Sequence, residues 1–224
     1  QLGESESANK SPKTFKDYEP GFIHVDIKYL PQLPEESERS YLYIAIDRAS
    51  NWTYFEVHDD RKAQTARSFL ANLIRRANFV IKYLLTDNEA CFTDRLNRPD
   101  EVPSGKHPVD QLCAAHGVEH RLIPPRHPQT NGKVERMNGR VSDVLASVHL
   151  QNREELEATL EQYRRLYNGQ IPQKALSNRT PVEVLKSYYE YNPDIFYRKS
   201  HNPPAPDNLS GSAGPLRDRG QRHR

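Results

Sequence analysis

The chain has 224 residues, of which 35% are hydrophobic and 28% are charged, and its formal net charge is +2 at pH 7. A chain of this length can bury one substantial core, so we expect one main α/β domain rather than two. The sequence has no run of about 18 apolar residues, and its N-terminus lacks the pattern of a signal peptide. We therefore expect a cytoplasmic protein with no membrane partner.

Both ends of the chain are polar and lack hydrophobic periodicity. Residues 1–20 and 198–224 are rich in Pro, Ser, Gly and charge, which predicts a flexible N-terminal arm and a basic flexible tail. The tail has six Lys or Arg against two Asp, so it contributes +4 and leaves the rest of the chain near −2. Bulk charge therefore does not indicate a nucleic-acid partner, and only the position of basic residues can do so.

The cysteine and histidine pattern does not favour a zinc site. Cys91 and Cys113 are the only cysteines and form no CxxC pair, so we expect two reduced thiols. His116 and His120 have a spacing found in zinc sites, but no second ligand pair accompanies them. We therefore expect a pair of surface histidines and no zinc.

The pattern of the first half of the chain predicts three strands, a helix and a fourth strand. Residues 22–30, 41–47 and 51–57 are rich in β-branched and aromatic residues, which predicts an antiparallel meander. An amphipathic helix follows at 61–77. Residues 79–86 form an almost continuous apolar run, which is typical of a strand covered on both faces and reached by a helical crossover.

The second half begins with a polar segment, 94–108, in which three prolines predict a surface loop. The elements predicted after it are a short helix at 109–116, a strand at 119–123, a helix at 133–149 and two helices that open at the caps Asn152 and Thr180. Five strands with helices between and after them indicate an α/β sandwich.

Three acidic residues lie on or beside these elements. Strand alternation places Asp26 on the less apolar face of the first strand, Asp87 ends the buried strand, and Glu135 lies in the first turn of a helix. Each has a local alternative: an ion pair of Asp26 with His24 or Lys28, a simple turn at Asp87, and a helix-dipole interaction at Glu135. Together, three carboxylates on two strands and a helix suit a pair of Mg²⁺ ions.

Three motifs carry a resemblance to a known family. They are HVDIK at 24–28, TDNEACF at 86–92 and HGVEHRLIPPRHPQTNGKVERMN at 116–138. These motifs resemble the bacterial insertion-sequence transposases that have a retroviral-integrase-type core. The similarity continues through 45–50, 167–168 and 175–183, so it covers about residues 20 to 187.

The resemblance implies a ribonuclease H-like fold, with a five-stranded mixed sheet flanked by helices. It places the D-D-E catalytic and metal-binding acids on Asp26, Asp87 and Glu135, with two Mg²⁺ or Mn²⁺ ions as cofactors. It also implies DNA cleavage and strand transfer by a homo-multimer on paired element ends and target DNA, in a bacterial nucleoid. We expect the catalytic core at 21–150 and a helical extension of that core at 151–197.

The resemblance also indicates residues that contact DNA. The helical spacing of Lys133, Arg136 and Arg140 allows them to share one side of a helix and form a phosphate-binding track beside the metals. The other expected DNA contacts are Arg126, His127, Asn131 and Asn88. The alternative for any one helical residue is a solvated face with intrahelical pairing to Glu135.

The sequence departs from the family pattern in two places. Glu89, Ala90 and Cys91 stand where relatives usually have Gly-Ser-Glu, and the missing Gly removes a residue that adopts positive φ freely. This change predicts a metal site that is either distorted or modified by an added carboxylate. Residues 171–173 read Ile-Pro-Gln in place of Arg-Pro-His, which predicts a lost DNA contact.

Three alternatives remain open at this point, of which a purely structural interaction protein would not explain the three motifs together. A nuclease or junction resolvase on the same fold would use the same acids and stop at hydrolysis, so a joining assay separates it from a transposase. A non-catalytic DNA-binding remnant of a mobile element would retain the fold and the basic surface, and its metal affinity would distinguish it.

Overall fold

The structure is a computed structural model that describes residues 18–95, 101–123 and 132–197. Most of the predicted N-terminal arm and all of the basic tail lie outside the described residues. The same holds for three of the expected DNA contacts, Arg126, His127 and Asn131.

The described residues form a five-stranded mixed sheet with helices on both faces. The elements in chain order are β1 (Phe22–Tyr29), β2 (Tyr41–Asp47), β3 (Thr53–His58), α1 (Ala63–Arg76), β4 (Tyr83–Thr86), α2 (Pro108–Ala115), β5 (Glu119–Leu122), α3 (Gly132–Ala146), α4 (Arg153–Gly169) and α5 (Pro181–Tyr191). The strand order is β3-β2-β1-β4-β5, with antiparallel pairing from β3 to β1 and parallel pairing from β1 to β5. The predicted meander and parallel crossover are therefore confirmed. None of the helices in these ranges has the length and apolar character needed to cross a bilayer.

Each face of the sheet packs against its own helical layer, because successive strand residues point in opposite directions. Ile23 and Val25 of β1 join an apolar cluster with α1 and α2. On the other face, Leu42 and Ile44 of β2 pack against apolar residues of α3 and α4. In the β1–β2 register, Asp26 lies opposite Ile44, so the side chain of Asp26 is on the α3 face.

The predicted fourth strand is too long, because only Tyr83–Thr86 pairs as regular strand β4. The earlier part of the apolar run pairs with the end of the described chain instead: Phe79 forms a bridge with Phe196, and the Val80 amide donates to the Ile195 carbonyl at 2.7 Å. This partner is distant in the sequence and has no strand pattern of its own. Most of the run is buried as predicted, but the backbone pairing of Phe79 and Val80 lies outside the main sheet.

The helix predicted at 133–149 is also shorter, since α3 ends at Ala146. The Ser147 hydroxyl donates to the Val144 carbonyl at 2.7 Å, and such a local bond competes with continuation of the helix. Val148 consequently leaves the apolar stripe and is 39% exposed. The remaining stripe residues, Val134, Met137, Val141 and Leu145, are buried against the sheet as predicted.

The edge strand β3 is covered by a side chain of α4. Asn168, which is 5% exposed, accepts from the Thr53 amide at 2.9 Å and donates to the Thr53 carbonyl at 2.8 Å. The side-chain amide therefore pairs with the strand as a neighbouring peptide group would. This contact fastens the end of α4 to the sheet.

We predict that Asn168→Ala lowers the free energy of unfolding by about 2 kcal/mol, because it leaves a buried amide and carbonyl of Thr53 without partners. Urea denaturation followed by circular dichroism measures this change. Gln170→Ala, at an exposed position just past the same helix, is the control and should change stability by less than about 0.5 kcal/mol. Equal small effects for both variants would contradict the interpretation.

Candidate catalytic site

Asp26 lies in the middle of β1 and faces α3. The Asn138 side-chain amide of α3 donates to Asp26 Oδ2 at 2.6 Å. Burial raises the pKa of Asp26, and the charges of Glu89 and Glu135 act in the same direction, against the stabilising hydrogen bonds. Asp26 is therefore a partly buried carboxylate with acidic neighbours.

The local alternative for Asp26 was an ion pair with His24 or Lys28. The structure gives it Asn138 as its hydrogen-bond partner. Burial and the charges of Arg48 and Lys133 lower the pKa of His24 to about 4, so this imidazole is neutral at pH 7. A neutral His24 does not compensate the charge of Asp26.

Asp87 directly follows β4, the parallel neighbour of β1. Its Oδ1 accepts from the backbone amide of Glu89 at 3.0 Å. Burial, together with the charges of Glu89 and Asp26, raises the pKa of Asp87 to about 6. Asp87 and Asp26 are thus electrostatically coupled across adjacent strands.

Glu135 lies in the first turn of α3 and is exposed. Asn138 follows it by three residues, so the two side chains share one side of the helix. Because Asn138 bonds Asp26, this side of α3 faces β1, and the charge of Glu135 contributes to the raised pKa of Asp26. The fold therefore brings all three predicted acids to one region.

The acids do not enclose a common point in this structure. Within the described ranges, no three His, Cys, Asp or Glu side chains are placed to hold one metal ion together. Their chemistry nevertheless suits a hard divalent cation, since the donors are carboxylate oxygens whose mutual repulsion such a cation would relieve. Asp26, Asp87 and Glu135 also form no ion pair with a described Lys, Arg or His.

Glu89 adds a fourth carboxylate beside the three. Arg61 Nη1 donates to Glu89 Oε2 at 2.8 Å, and the Arg61 guanidinium lies 4.8 Å from the centroid of the Tyr29 ring. Glu89 is not among the described non-glycine residues with positive φ, so the backbone there carries no left-handed strain. The departure from the family pattern thus adds a paired carboxylate. Nothing in the sequence pattern indicates Arg61 as its partner.

Cys91 lies beside Glu89. It is a free, buried thiol, as predicted, and its Sγ lies 3.8 Å from Glu89 Oε2. Burial raises the pKa of Cys91 to about 12, with the charges of Glu89 and Asp87 acting in the same direction. The thiol is therefore protonated at physiological pH, and it packs in the apolar cluster between the sheet and helices α1 and α2.

The expected pair of surface histidines is wrong for His120. His116 is exposed, but the His120 side chain is only 3% exposed, and its Nδ1 lies 2.6 Å from Asp110 Oδ1. Its Nε2 lies 2.9 Å from the hydroxyl of Thr86, the residue before Asp87. The His120 side chain therefore connects Asp110 of α2 to Thr86 at the end of β4. Asp110 lies on another element, so the histidine spacing could not reveal this contact.

The basic residues of α3 fall into two groups. Arg136 and Arg140 are exposed, and neither forms an ion pair within the described part of the chain, including with Glu135. The Arg140 guanidinium lies 5.8 Å from the centroid of the Tyr167 ring on α4. Both cations are therefore accessible to an anionic partner.

Lys133 and Asn88 instead bond to the protein. Lys133 Nζ donates to the Arg48 carbonyl at 2.5 Å and to Asn51 Oδ1 at 2.7 Å. Asn88 Nδ2 donates to the Ile123 carbonyl at 3.3 Å. These two expected DNA contacts thus have partners within the fold.

We predict that Asp87→Asn stabilises the metal-free protein at pH 7.5. A carboxyl group with a raised pKa binds more protons when folded than unfolded, so its contribution to stability falls as pH rises through the interval from about 4 to about 6. The gain from Asp87→Asn should shrink at pH 5, where the native side chain is largely protonated. Urea midpoints at the two pH values measure this difference.

Asp143→Asn, at an exposed position of α3, is the matched control and should show little change at either pH. A loss of stability in Asp87→Asn at pH 7.5 would show that the folded protein does not disfavour the Asp87 charge.

Comparisons with known proteins agree with this geometry. Two family profiles, both described as "Integrase core domain", match residues 18–128 and 116–181. The chain is 24% identical over 190 residues to "Putative integrase ORF3" of Spiroplasma virus SpV1-C74, covering 80% of this chain and 51% of that protein. It is 29% identical over 128 residues to "Retrovirus-related Pol polyprotein from transposon TNT 1-94" of Nicotiana tabacum, covering 56% of this chain and 9% of the polyprotein. The chain thus spans about half the length of the viral relative and a small part of the polyprotein.

Solved structures show the same fold. The catalytic core domain of BIV integrase matches with a TM-score of 0.58 and 22% identity, over 76% of this chain and 97% of that chain. The HTLV-2 integrase catalytic core domain in complex with magnesium matches in its trimeric form with a TM-score of 0.56 and 15% identity, over 74% of this chain and 96% of that chain. Its dimeric form matches with a TM-score of 0.57 and 14% identity, over 75% of this chain and 99% of that chain.

These retroviral cores have the ribonuclease H-like fold, and the order and direction of the five strands described above agree with it. Both family profiles and the two relatives point to the same kind of domain, which is that of a polynucleotidyl transferase. The chain carries a catalytic core of the integrase and transposase type.

Proposed function

We propose that this chain is the catalytic core of a transposase or integrase that cleaves DNA phosphodiester bonds and joins DNA strands. The observation that carries the proposal is the hydrogen bond from Asn138 to Asp26, which turns the Glu135 side of α3 toward β1. Asp87 lies at the end of the adjacent parallel strand. Acids from three separate elements are thereby directed to one region.

The donor set suits two Mg²⁺ or Mn²⁺ ions, with Asp26, Asp87 and Glu135 as the protein ligands. Bound in such a site, the pair of cations supplies activation of the attacking oxygen and stabilisation of the leaving oxygen. Asn138 fixes the rotamer of Asp26 through its hydrogen bond, and the Glu89 amide does the same for Asp87. These contacts hold two of the ligands before DNA arrives.

The nucleophile decides which reaction follows. Attack by water on a phosphodiester gives strand cleavage, and attack by a DNA 3′-hydroxyl joins that end to a second strand. In both cases the attacking oxygen forms the new P–O bond as the old one breaks, so no covalent protein intermediate is needed. A ribonuclease H-like nuclease would perform the first reaction only.

The proposed DNA partner includes the element ends and the target. Arg136 and Arg140 are accessible on the helix that carries Glu135, so they are placed to bind phosphates beside the acids. We include in the proposal a core at 21–150 with a helical extension at 151–197, a homo-multimer on paired ends, and action on the DNA of a bacterial nucleoid. The HTLV-2 core is described in dimeric and trimeric forms.

We predict that Glu135→Gln and Asp26→Asn each abolish Mn²⁺-dependent cleavage and joining while the fold survives. Both changes remove one carboxylate charge and keep the size of the side chain. The assay is strand joining on a branched DNA substrate, which needs little recognition of element ends. Glu190→Gln, at an exposed position of α5, is the control and should retain full activity.

Full activity in both site variants would contradict the proposal. Cleavage without joining in the native chain would identify a nuclease. A folded native chain that binds DNA but does neither reaction with Mg²⁺ or Mn²⁺ would support the non-catalytic remnant.

We predict that Arg136→Ala weakens DNA binding equally for all sequences. Loss of one phosphate contact should make the slope of log K against log salt concentration less steep by about 0.9. Fluorescence anisotropy on two unrelated duplexes at several salt concentrations measures both properties. Arg75→Ala, at an exposed position on the opposite face of the sheet, should leave the slope unchanged. An unchanged slope in Arg136→Ala would remove this residue from the DNA interface.

A further inference from the structure

Three motifs of the sequence that take no part in the proposed chemistry meet at the start of α3. Residues 45–50 form the end of β2 and the turn after it, residues 167–168 lie in the last turns of α4, and Gln173 follows α4. Gln173 is one of the residues that depart from the family pattern. Their side chains and carbonyls form one polar network with Lys133.

Lys133 is the second residue of α3 and contacts the turn between β2 and β3. Its ammonium donates to the Arg48 carbonyl at 2.5 Å and to Asn51 Oδ1 at 2.7 Å. An ammonium group has three donors, so two of them are taken by the protein. A cation in the first turn of a helix opposes the helix dipole, and these two acceptors offset that cost.

The turn that receives Lys133 is held rigidly by Asp47, which is fully buried. Asp47 Oδ2 accepts from the Ser50 amide at 2.7 Å and from the Ala49 amide at 3.1 Å. Asp47 Oδ1 accepts from the Gly21 amide at 2.9 Å. Gly21 immediately precedes β1, so the turn is fastened to the strand that carries Asp26.

Asn51 extends the network to the region after α4. Its φ of 58° lies in the left-handed region, which Asn tolerates better than most residues. Asn51 Nδ2 donates to Gln173 Oε1 at 2.7 Å, and the Tyr167 hydroxyl donates to the same oxygen at 3.2 Å. Gln173 is 7% exposed, so it lies inside the protein. We call Lys133, Arg48, Asn51 and Gln173 the α3 clamp.

We propose that Lys133 is a positioning residue, which acts through the α3 clamp to hold the turn that carries Glu135 against the β1–β2 framework. This inference rests on the proposed role of Glu135 as the third acid. Glu135 lies two residues after Lys133 and three before Asn138, which bonds Asp26. The acid is thus flanked by two tethers to the sheet. The clamp replaces the phosphate contact that the sequence predicted for Lys133.

The test compares Lys133→Met, which keeps an unbranched side chain of similar length without the charge, with the exposed control Lys186→Met. We expect Lys133→Met to weaken the affinity for Mn²⁺ about 10-fold in a calorimetric titration without DNA, as loss of support around a metal ligand does. The salt slope of DNA binding should stay unchanged. A merely stabilising residue would leave the Mn²⁺ affinity of the folded protein unaltered.

A second variant keeps the proposal testable if Lys133→Met folds poorly. Asn51→Gly removes the side-chain acceptor and tolerates the positive φ, so it should lower Mn²⁺ affinity in the same direction. The double variant should lose little more than Lys133→Met alone, because both changes break one contact. Unchanged Mn²⁺ affinity in Lys133→Met, together with a salt slope less steep by about 0.9, would overturn the proposal and make Lys133 a phosphate contact.

Hydrogen exchange separates failure of the clamp from failure of the proposed function. If the native chain binds no Mn²⁺, the proposed metal chemistry fails. Faster exchange of the amides of residues 134–138 in Lys133→Met would still support the clamp. Unchanged exchange in that segment would overturn it.

Discussion

The burial of neighbouring carboxylates is the constraint on which the rest of this structure depends. Asp26 and Asp87 lie on adjacent strands, and each has a raised pKa because it is buried near other acids. A protein without a use for these charges would gain stability by losing them. The fold instead retains them and orders their side chains with hydrogen bonds. Of the four acids of the candidate site, Glu89 alone has a cationic partner among the described residues, and that partner is Arg61.

The helix α3 links this acidic region to the core. Its apolar stripe packs on β2 and α4, which fixes how the helix lies on the sheet. Polar contacts then set its position along and around its axis, through Asn138 to Asp26 and through Lys133 to the β2–β3 turn. Apolar packing alone tolerates small shifts of a helix, whereas paired hydrogen bonds at two points do not. The position of Glu135 therefore depends on polar contacts around a helix that packs on the core through its apolar face.

Much of the fold could be predicted, because the strand and helix periods are clear in the sequence. The meander, the crossover and the apolar stripe of α3 all follow from local pattern. The bridge of Phe79 to Phe196 could not be predicted, since it joins distant segments without periodic signals. The end of α3 was misplaced because a single serine side chain, that of Ser147, competes for a helical carbonyl.

The candidate site, like the fold, could be predicted only where local sequence pattern carries the information. The motifs led to Asp26, Asp87 and Glu135, and their assignment as metal ligands stays a prediction. The motif ending at Asn138 contained a signal for that residue, three positions after Glu135, but its partner is visible only in three dimensions. The pairing of Glu89 with Arg61 joins residues on separate elements, and neither has a distinctive neighbourhood in the sequence. Charge and helical spacing beside Glu135 predict Lys133 as a phosphate contact, whereas its two acceptors, the Arg48 carbonyl and Asn51 Oδ1, are visible only in three dimensions.

The measurement that most directly tests the central claim is the location of bound Mn²⁺ by paramagnetic broadening of backbone amide signals in the metal-titrated protein. The account predicts that broadening centres on the amides of Asp26, Asp87 and Glu135 and spares α5, on the opposite side of the sheet. Broadening centred elsewhere, or no site-specific broadening at all, would contradict the claim that these three elements converge to bind divalent cations.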